Sequence, residues 1–198
     1  DDKNWNIYFS HDIWFQEVMA SDIALAKHVK EIGVFALGVS YLNFGSIERA
    51  DIDSLGNPVY RKDETYSPYS LVINAAYAGK LEEDLDGGVN LKYIIDDIDG
   101  DMCQALAFDL GIRYSFPYLK GLSFDLISKN FGGRLNEFIL TKEISFAVSY
   151  VFNLSDFIVT MDYDAVGKVA NDPIHRIGVQ IETPYVIVIR TGYHTDNT

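Results

Sequence analysis

Charged side chains recurring at every second position are the residues best placed to do something in this chain. Lys92, Asp109, Arg113, Asp125 and Lys129 fall on the polar phase of three successive alternating stretches. Asp162, Asp164, Arg176, Gln180, Glu182 and Arg190 do the same on three later ones. If the stretches are consecutive antiparallel strands, each set gathers on one face, and Asp164 comes close to Arg176 across the 167–172 connection. Opposite charges facing each other across strands are favourable, by less than about 1 kcal/mol when solvated. Two roles follow: a salt-bridge network that stabilises a sheet, or a polar lining that tunes what passes or binds. Lys92, Asp109, Arg113, Asp125, Arg176 and Arg190 are the residues expected to form such a lining, with no catalytic group among them. The chain is not expected to be an enzyme.

The other chemistry-bearing patterns are weak. Asp51-Ile52-Asp53-Ser54-Leu55-Gly56 begins like a calcium loop and then fails, with Leu55 at a ligand position and Lys62 where a bidentate Glu is needed. Asp96-Asp97-Ile98-Asp99-Gly100-Asp101 would collect calcium only weakly. The four histidines (His11, His28, His175, His194) are scattered, without metal-ligand spacing. No GxSxG elbow and no phosphate-cradling glycine loop is present, so neither a metal nor a cofactor is expected. The single Cys103 excludes an internal disulfide and reads as a packed or lumenal thiol.

The elements that must carry the polar set are strands. Leu106, Phe108, Leu110, Ile112, Tyr114 and Phe116 alternate with Ala107, Asp109, Gly111, Arg113 and Ser115. Ile144 to Phe152 repeats the pattern, as do Phe35 to Tyr41, Phe157 to Tyr163, Ile177 to Ile181 and Val89 to Ile95. Strict alternation marks strands with two unlike faces. One face is large and aromatic, and the other mixes small with charged residues. About eleven such stretches can be drawn, most of about 9 to 13 residues, where about 9 to 11 cross a bilayer. Tight connections are expected near Glu31-Ile32, Leu81 to Asp86, Pro117 to Lys120, Asn153 to Ser155 and Thr183-Pro184. Longer or more polar ones are expected at Trp14 to Ala20, Ser46 to Tyr66, Asp96 to Asp101, Gly132 to Lys142 and Gly167 to Asp172. Short turns at one end and long loops at the other are the habit of bacterial outer-membrane barrels. Aromatics near both strand ends, such as Phe116, Tyr118, Trp14 and Tyr69, suit interfacial girdles.

Composition agrees. The chain has 198 residues, 48% of them hydrophobic, with 13 Tyr and 12 Phe, which suits a half-buried pleated surface. A net charge of -13 argues against a nucleic-acid partner, because phosphate binding needs clustered cations. No apolar run approaches the length of a transmembrane helix. No basic segment followed by an apolar run opens the chain, which fits a start after processing or inside a longer chain.

Several phrases carry a family resemblance: His11 to Glu17 (HDIWFQE), Phe35 to Glu48, Gly87 to Ile94, Ala105 to Gly133 and Val188 to Thr195. In this order they resemble the outer-membrane barrels related to PorV and, more distantly, to the fatty-acid transporter FadL. The resemblance implies an all-β fold, an antiparallel up-and-down transmembrane β-barrel of typically fourteen strands in the bacterial outer membrane. Its FadL branch implies passive uptake of small hydrophobic molecules such as long-chain fatty acids. Its PorV branch implies a non-transporting surface or scaffold protein with a secreted or surface protein partner. The lipid bilayer is the expected surrounding, and a hydrophobic small molecule the expected ligand. Residues 1–198 read as one barrel domain of about eleven strands, without the Asn-Pro-Ala plug segment of that family and without its closing strands.

Overall fold

The computed structural model describes residues 5–135, 138–168, 173–185 and 187–195. Among them the strands are β1 (Trp5–Ile13), β2 (Met19–Val29), β3 (Gly33–Asn43), β4 (Ile47–Ile52), β5 (Pro58–Tyr66), β6 (Tyr69–Glu82), β7 (Leu85–Ile98) and β8 (Asp101–Ser115). The second half adds β9 (Leu122–Phe131), β10 (Arg134–Leu135), β11 (Phe138–Ile139), β12 (Glu143–Leu154), β13 (Phe157–Lys168), β14 (Ile174–Glu182) and β15 (Val188–His194). The only helical element among the described residues is a three-residue 3₁₀ turn, Phe15–Glu17.

Eleven strands form one antiparallel sheet in the order β1-β2-β3-β6-β7-β8-β9-β12-β13-β14-β15. The remaining four make two small hairpins, β4-β5 and β10-β11, within connections that sequence alone shows as loops. Each strand of the large sheet pairs with its neighbour in chain order, which is up-and-down connectivity. The sheet is open: β1 and β15 form its two edges.

The connections refine the sequence reading. The β6–β7 and β12–β13 turns are tight, as expected. The Asp96 to Asp101 connection is not long. β7 runs on to Ile98 and β8 starts at Asp101, leaving a two-residue Asp99-Gly100 turn in which both residues have positive φ, 59° and 88°. That conformation matches the twist of flanking strands, and Gly adopts it freely. The Pro117 to Lys120 turn is instead a broader connection over residues 116–121.

The two faces of the sheet are unlike. Register places Phe35, Leu37, Val39 and Tyr41 beside Tyr77, Ala75, Ile73 and Leu71, and these beside Val89, Leu91, Tyr93 and Ile95. The row continues through Leu110, Phe108 and Leu106, with Gln104 beside Ile95. These large side chains are open: Leu37 is 62% exposed, Leu106 60% and Ile177 55%. The other face is sheltered, with Ala107 at 0%. A single-layer sheet has no second layer to cover either side, so the shelter comes from curvature, with the small residues on the concave side. Gly133 adds to it: it is buried, and a Cβ built there would lie 3.2 Å from the Ala107 methyl. The accessible surface is 14591 Å², against about 9,400 Å² for a compact monomer of this size. The sheet does not bury its greasy face on itself.

Candidate functional site: the concave face

Lys92, Asp109, Arg113, Asp125, Arg176 and Arg190 all project onto the concave face. They are not brought together as one cluster; each pairs locally. The best-connected group surrounds Asp109. Alternation in β7 puts Asn90 and Lys92 on the concave side, and Asn90 is the register partner of Asp109. The partner of Lys92 is Ala107, whose methyl leaves room for the ammonium to lean toward Asp109, Nζ to Oδ1 at 2.6 Å. Asn90 Nδ2 donates to the other carboxylate oxygen at 3.1 Å. Asn74 Nδ2 donates to Asn90 Oδ1 at 3.4 Å. The Asn74 side chain lies over Gly38, where a Cβ would come within 2.5 Å of Asn74 Oδ1.

A β-bulge completes the group. β8 and β9 shift register between Phe108 and Leu110, so Lys129 and Asn130 together oppose Asp109. Asn130 takes φ 63° there, which Asn tolerates better than most residues. Its N–H donates to Asp109 Oδ1 at 2.9 Å, its Oδ1 accepts from Lys92 Nζ at 2.5 Å, and its Nδ2 donates to the Thr141 carbonyl at 2.8 Å. The last bond ties Thr141 to the bulge. Asn74, Asn90 and Asn130 are absent from the sequence-derived set. Asn90 shares a phase with Lys92 and was legible. Asn130 was not, because a bulge breaks the two-residue period.

Nearer the short-turn end, Arg113 and Asp125 form a bidentate pair. They belong to a register row running Lys80, Asp86, Arg113, Asp125, Ala147, Asp164, Arg176 and His194 across eight strands. Signs alternate from Lys80 to Asp125; the neutral Ala147 then separates Asp125 from a second acid, Asp164. Arg176 Nη1 donates to Asp164 Oδ2 at 3.2 Å, as the spacing implied. Arg190 Nε donates to Gln180 Oε1 at 2.5 Å, and Lys129 meets Glu143 at 3.0 Å. Cys103 is half-buried on the same side, opposite Asp96. The arrangement offers a hydrogen-bonding wall with four ion pairs, Lys92–Asp109, Arg113–Asp125, Lys129–Glu143 and Arg176–Asp164.

Between this row and the β2–β3 turn lies a hollow of about 650 Å³. Val34, Ala78, Gly88, Gly111 and Ile127 form its floor. Gly88 and Gly111 are register partners. A Cβ on either would meet its neighbours at 3.4 Å or more, which is ordinary contact, and neither has positive φ. Glycine inside a strand costs about 0.5–1 kcal/mol relative to alanine. Here neither crowding nor backbone conformation calls for it.

The acidic runs are structural. Asp53 Oδ1 accepts the N–H groups of Leu55 and Asn57, both at 2.8 Å, and so closes the β4–β5 turn. Those bonds, Asn57's first, hold its carboxyl below the usual carboxylate range. Asp97 accepts from Gly100 N–H at 3.0 Å, and Asp99 pairs with Arg49 of the β4–β5 hairpin. Among the described residues no group of three or more His, Cys, Asp or Glu would hold a metal.

No protein-family model matches the chain, and no curated protein matches it in sequence. The resemblance to outer-membrane barrels therefore stands on the quoted phrases alone.

Proposed function

We propose that the chain is the wall of a bacterial outer-membrane β-barrel through which small hydrophobic molecules, long-chain fatty acids among them, cross passively. One observation carries this reading: the outward face is apolar across all eleven strands. Among the described residues, formal charge on that face stands only at the rims, at Lys27, Glu82 and Asp97, with His11 and His175 near the long-loop rim. Lys27 lies 4.9 Å over the Trp5 ring, an arrangement suited to an interface. Tyr69 and Tyr77 bracket the apolar stretch of β6, about 26 Å apart along the strand. Tilted by about 40°, a segment of that length covers about 20 Å of an apolar band about 25 Å tall. Water would leave this face unsatisfied, whereas lipid suits it.

Strand direction bears on closure. Eleven alternating strands leave β1 and β15 running the same way, so direct closure would make a parallel seam. An antiparallel seam needs an odd number of further strands, and three would give the fourteen of the resembling family.

The test is uptake. Lipid vesicles carrying the folded chain should take up labelled fatty acid faster than empty vesicles. Equal rates would remove the transport reading.

A second reading, a non-transporting surface protein, is favoured by the β4-β5 hairpin. It stands apart from the main sheet, and Ile52, Leu55 and Val59 are exposed on it. Cross-linking in outer membranes should then recover a specific protein partner, which a pure transporter would not bring down.

A further inference from the structure

We infer that the hollow floored by Gly88 and Gly111 binds a zwitterionic amphiphile, a hydrocarbon chain whose head carries both an ammonium and an acid group. The inference deepens the transport reading and rests on it for the concave face being the inside of a barrel; it names the head group that this face selects.

Three observations meet at this place. The first is space: about 650 Å³ falls within the range of about 300–1,000 Å³ usual for small-molecule sites. Residues with side chains fit at 88 and 111 without a clash, so what the missing side chains preserve is the empty space itself. The second is the floor. Val34, Ala78 and Ile127 make it apolar, which suits a hydrocarbon chain. The third is a pair of opposite charges at the rim that do not meet. Lys80 and Asp86 are register partners, and both line the hollow. The Lys80 ammonium donates instead to the Glu83 carbonyl, Nζ to O at 3.1 Å. An ammonium has three N–H donors, so others remain for a ligand. On its other side Asp86 is the partner of Arg113, whose guanidinium is clasped by Asp125. Among the described residues the Asp86 carboxylate joins no ion pair. Glu31, on the same lining, lies beside Lys30 at 3.9 Å. One cation and one anion are therefore left over, on backbone positions about 5 Å apart. A single head group spans that distance. A neutral head would leave both charges to water. A singly charged head would meet one of them and be repelled by the other. A head with both charges makes a charge-assisted contact with each.

The experiment uses the folded chain in micelles of an uncharged sugar detergent at about pH 6.5, where amines are protonated and acid groups ionised. Four probes share a dodecyl chain ending in a diazirine. Dodecyl phosphoethanolamine and 2-aminododecanoate are zwitterions, with a lipid-type and an amino-acid head; dodecyl sulfate is an anion and dodecylammonium a cation. Each is photolysed and the labelled residues are mapped. Labelling at Val34, Ala78 and Ile127 is divided by labelling at Leu37 and Leu106 on the outward face, which cancels differences in partitioning into the micelle. At least one zwitterion is expected to label the floor about tenfold more than either singly charged probe, the step that one charge-assisted contact gives. The stronger of the two identifies the head. Lys80→Met should lower that zwitterion to the level of the cation in the same variant, and Asp86→Asn to the level of the anion. Heat-dependent gel mobility confirms that both variants are folded. Floor labelling by a singly charged probe equal to that by both zwitterions would overturn the inference, as would zwitterion labelling untouched in either folded variant. If fatty-acid uptake into vesicles succeeds while this pattern fails, the inference alone falls. If the chain does not insert into lipid at all, the barrel reading falls and takes the inference with it.

Discussion

Arg113 and Asp125 meet side-on across β8 and β9, with Nε 2.6 Å from Oδ1 and Nη2 3.0 Å from Oδ2. The two ends of the pair differ in environment: the carboxylate is 12% exposed and the guanidinium 56%. Parallel N–H···O bonds of this kind fit a planar fork to a planar carboxylate and hold both in one orientation.

The unequal exposure sets the cost of breaking that pair. Removing the cation strands a sheltered carboxylate, whereas removing the carboxylate leaves a guanidinium that water can reach. Arg113→Ala is expected to lower stability by about 1–2 kcal/mol and Asp125→Ala by less, solvent screening having weakened both. Urea unfolding from detergent micelles measures the order, and a larger loss for Asp125→Ala would contradict it.

Lys92 and Asp109 are more sheltered, at 14% and 17%. Lys92→Met should cost about 1–3 kcal/mol, because Asp109 then keeps only neutral donors. Adding Asp109→Asn should restore part of that loss, since the stranded charge is gone. A double-mutant cycle reads the coupling, and strict additivity would show that the two side chains act independently.

The outward face makes the sharpest physical prediction. Leu37→Arg puts a charge in the middle of β3 on that side and should cost about 2–4 kcal/mol in a bilayer. On a protein surface facing water the same change would fall within about 0.5 kcal/mol. Gly178→Arg adds the same side chain on the concave side near Asp162 and should be close to neutral. Reversible unfolding from lipid vesicles measures both.

The β4–β5 turn should respond to acid. The Asp53 carboxyl titrates lower in the folded turn than in the unfolded chain, where the value is about 3.9. Its contribution is therefore present above that unfolded value and is lost as pH falls through the lowered folded one. Amide exchange at Leu55 and Asn57 should quicken across that window, and Asp53→Ala should show the quickened rate at neutral pH.

Much of the strand content was written in the chain, because the two-residue period of a strand leaves its mark on any sheet with unlike faces. Phe108, Leu110 and Ile112 could be set on one side and Asp109 and Arg113 on the other from spacing alone. The Asp164–Arg176 pair followed from the same rule. Which side faces outward did not follow, since alternation is symmetric under exchange of the faces. Only the curvature of the assembled sheet separates them, opening Leu37 and enclosing Ala107. Asn130 was hidden for a related reason: the bulge at Lys129 and Asn130 adds a residue against Asp109, and local pattern cannot show where a register slips. The Asp99-Gly100 turn looked like a loop because its flanking acids are polar, yet pairing with β6 and β8 extends β7 through them. The hollow over Gly88 and Gly111 belongs wholly to tertiary structure. Two glycines twenty-three positions apart define a space only once β7 and β8 place them opposite each other.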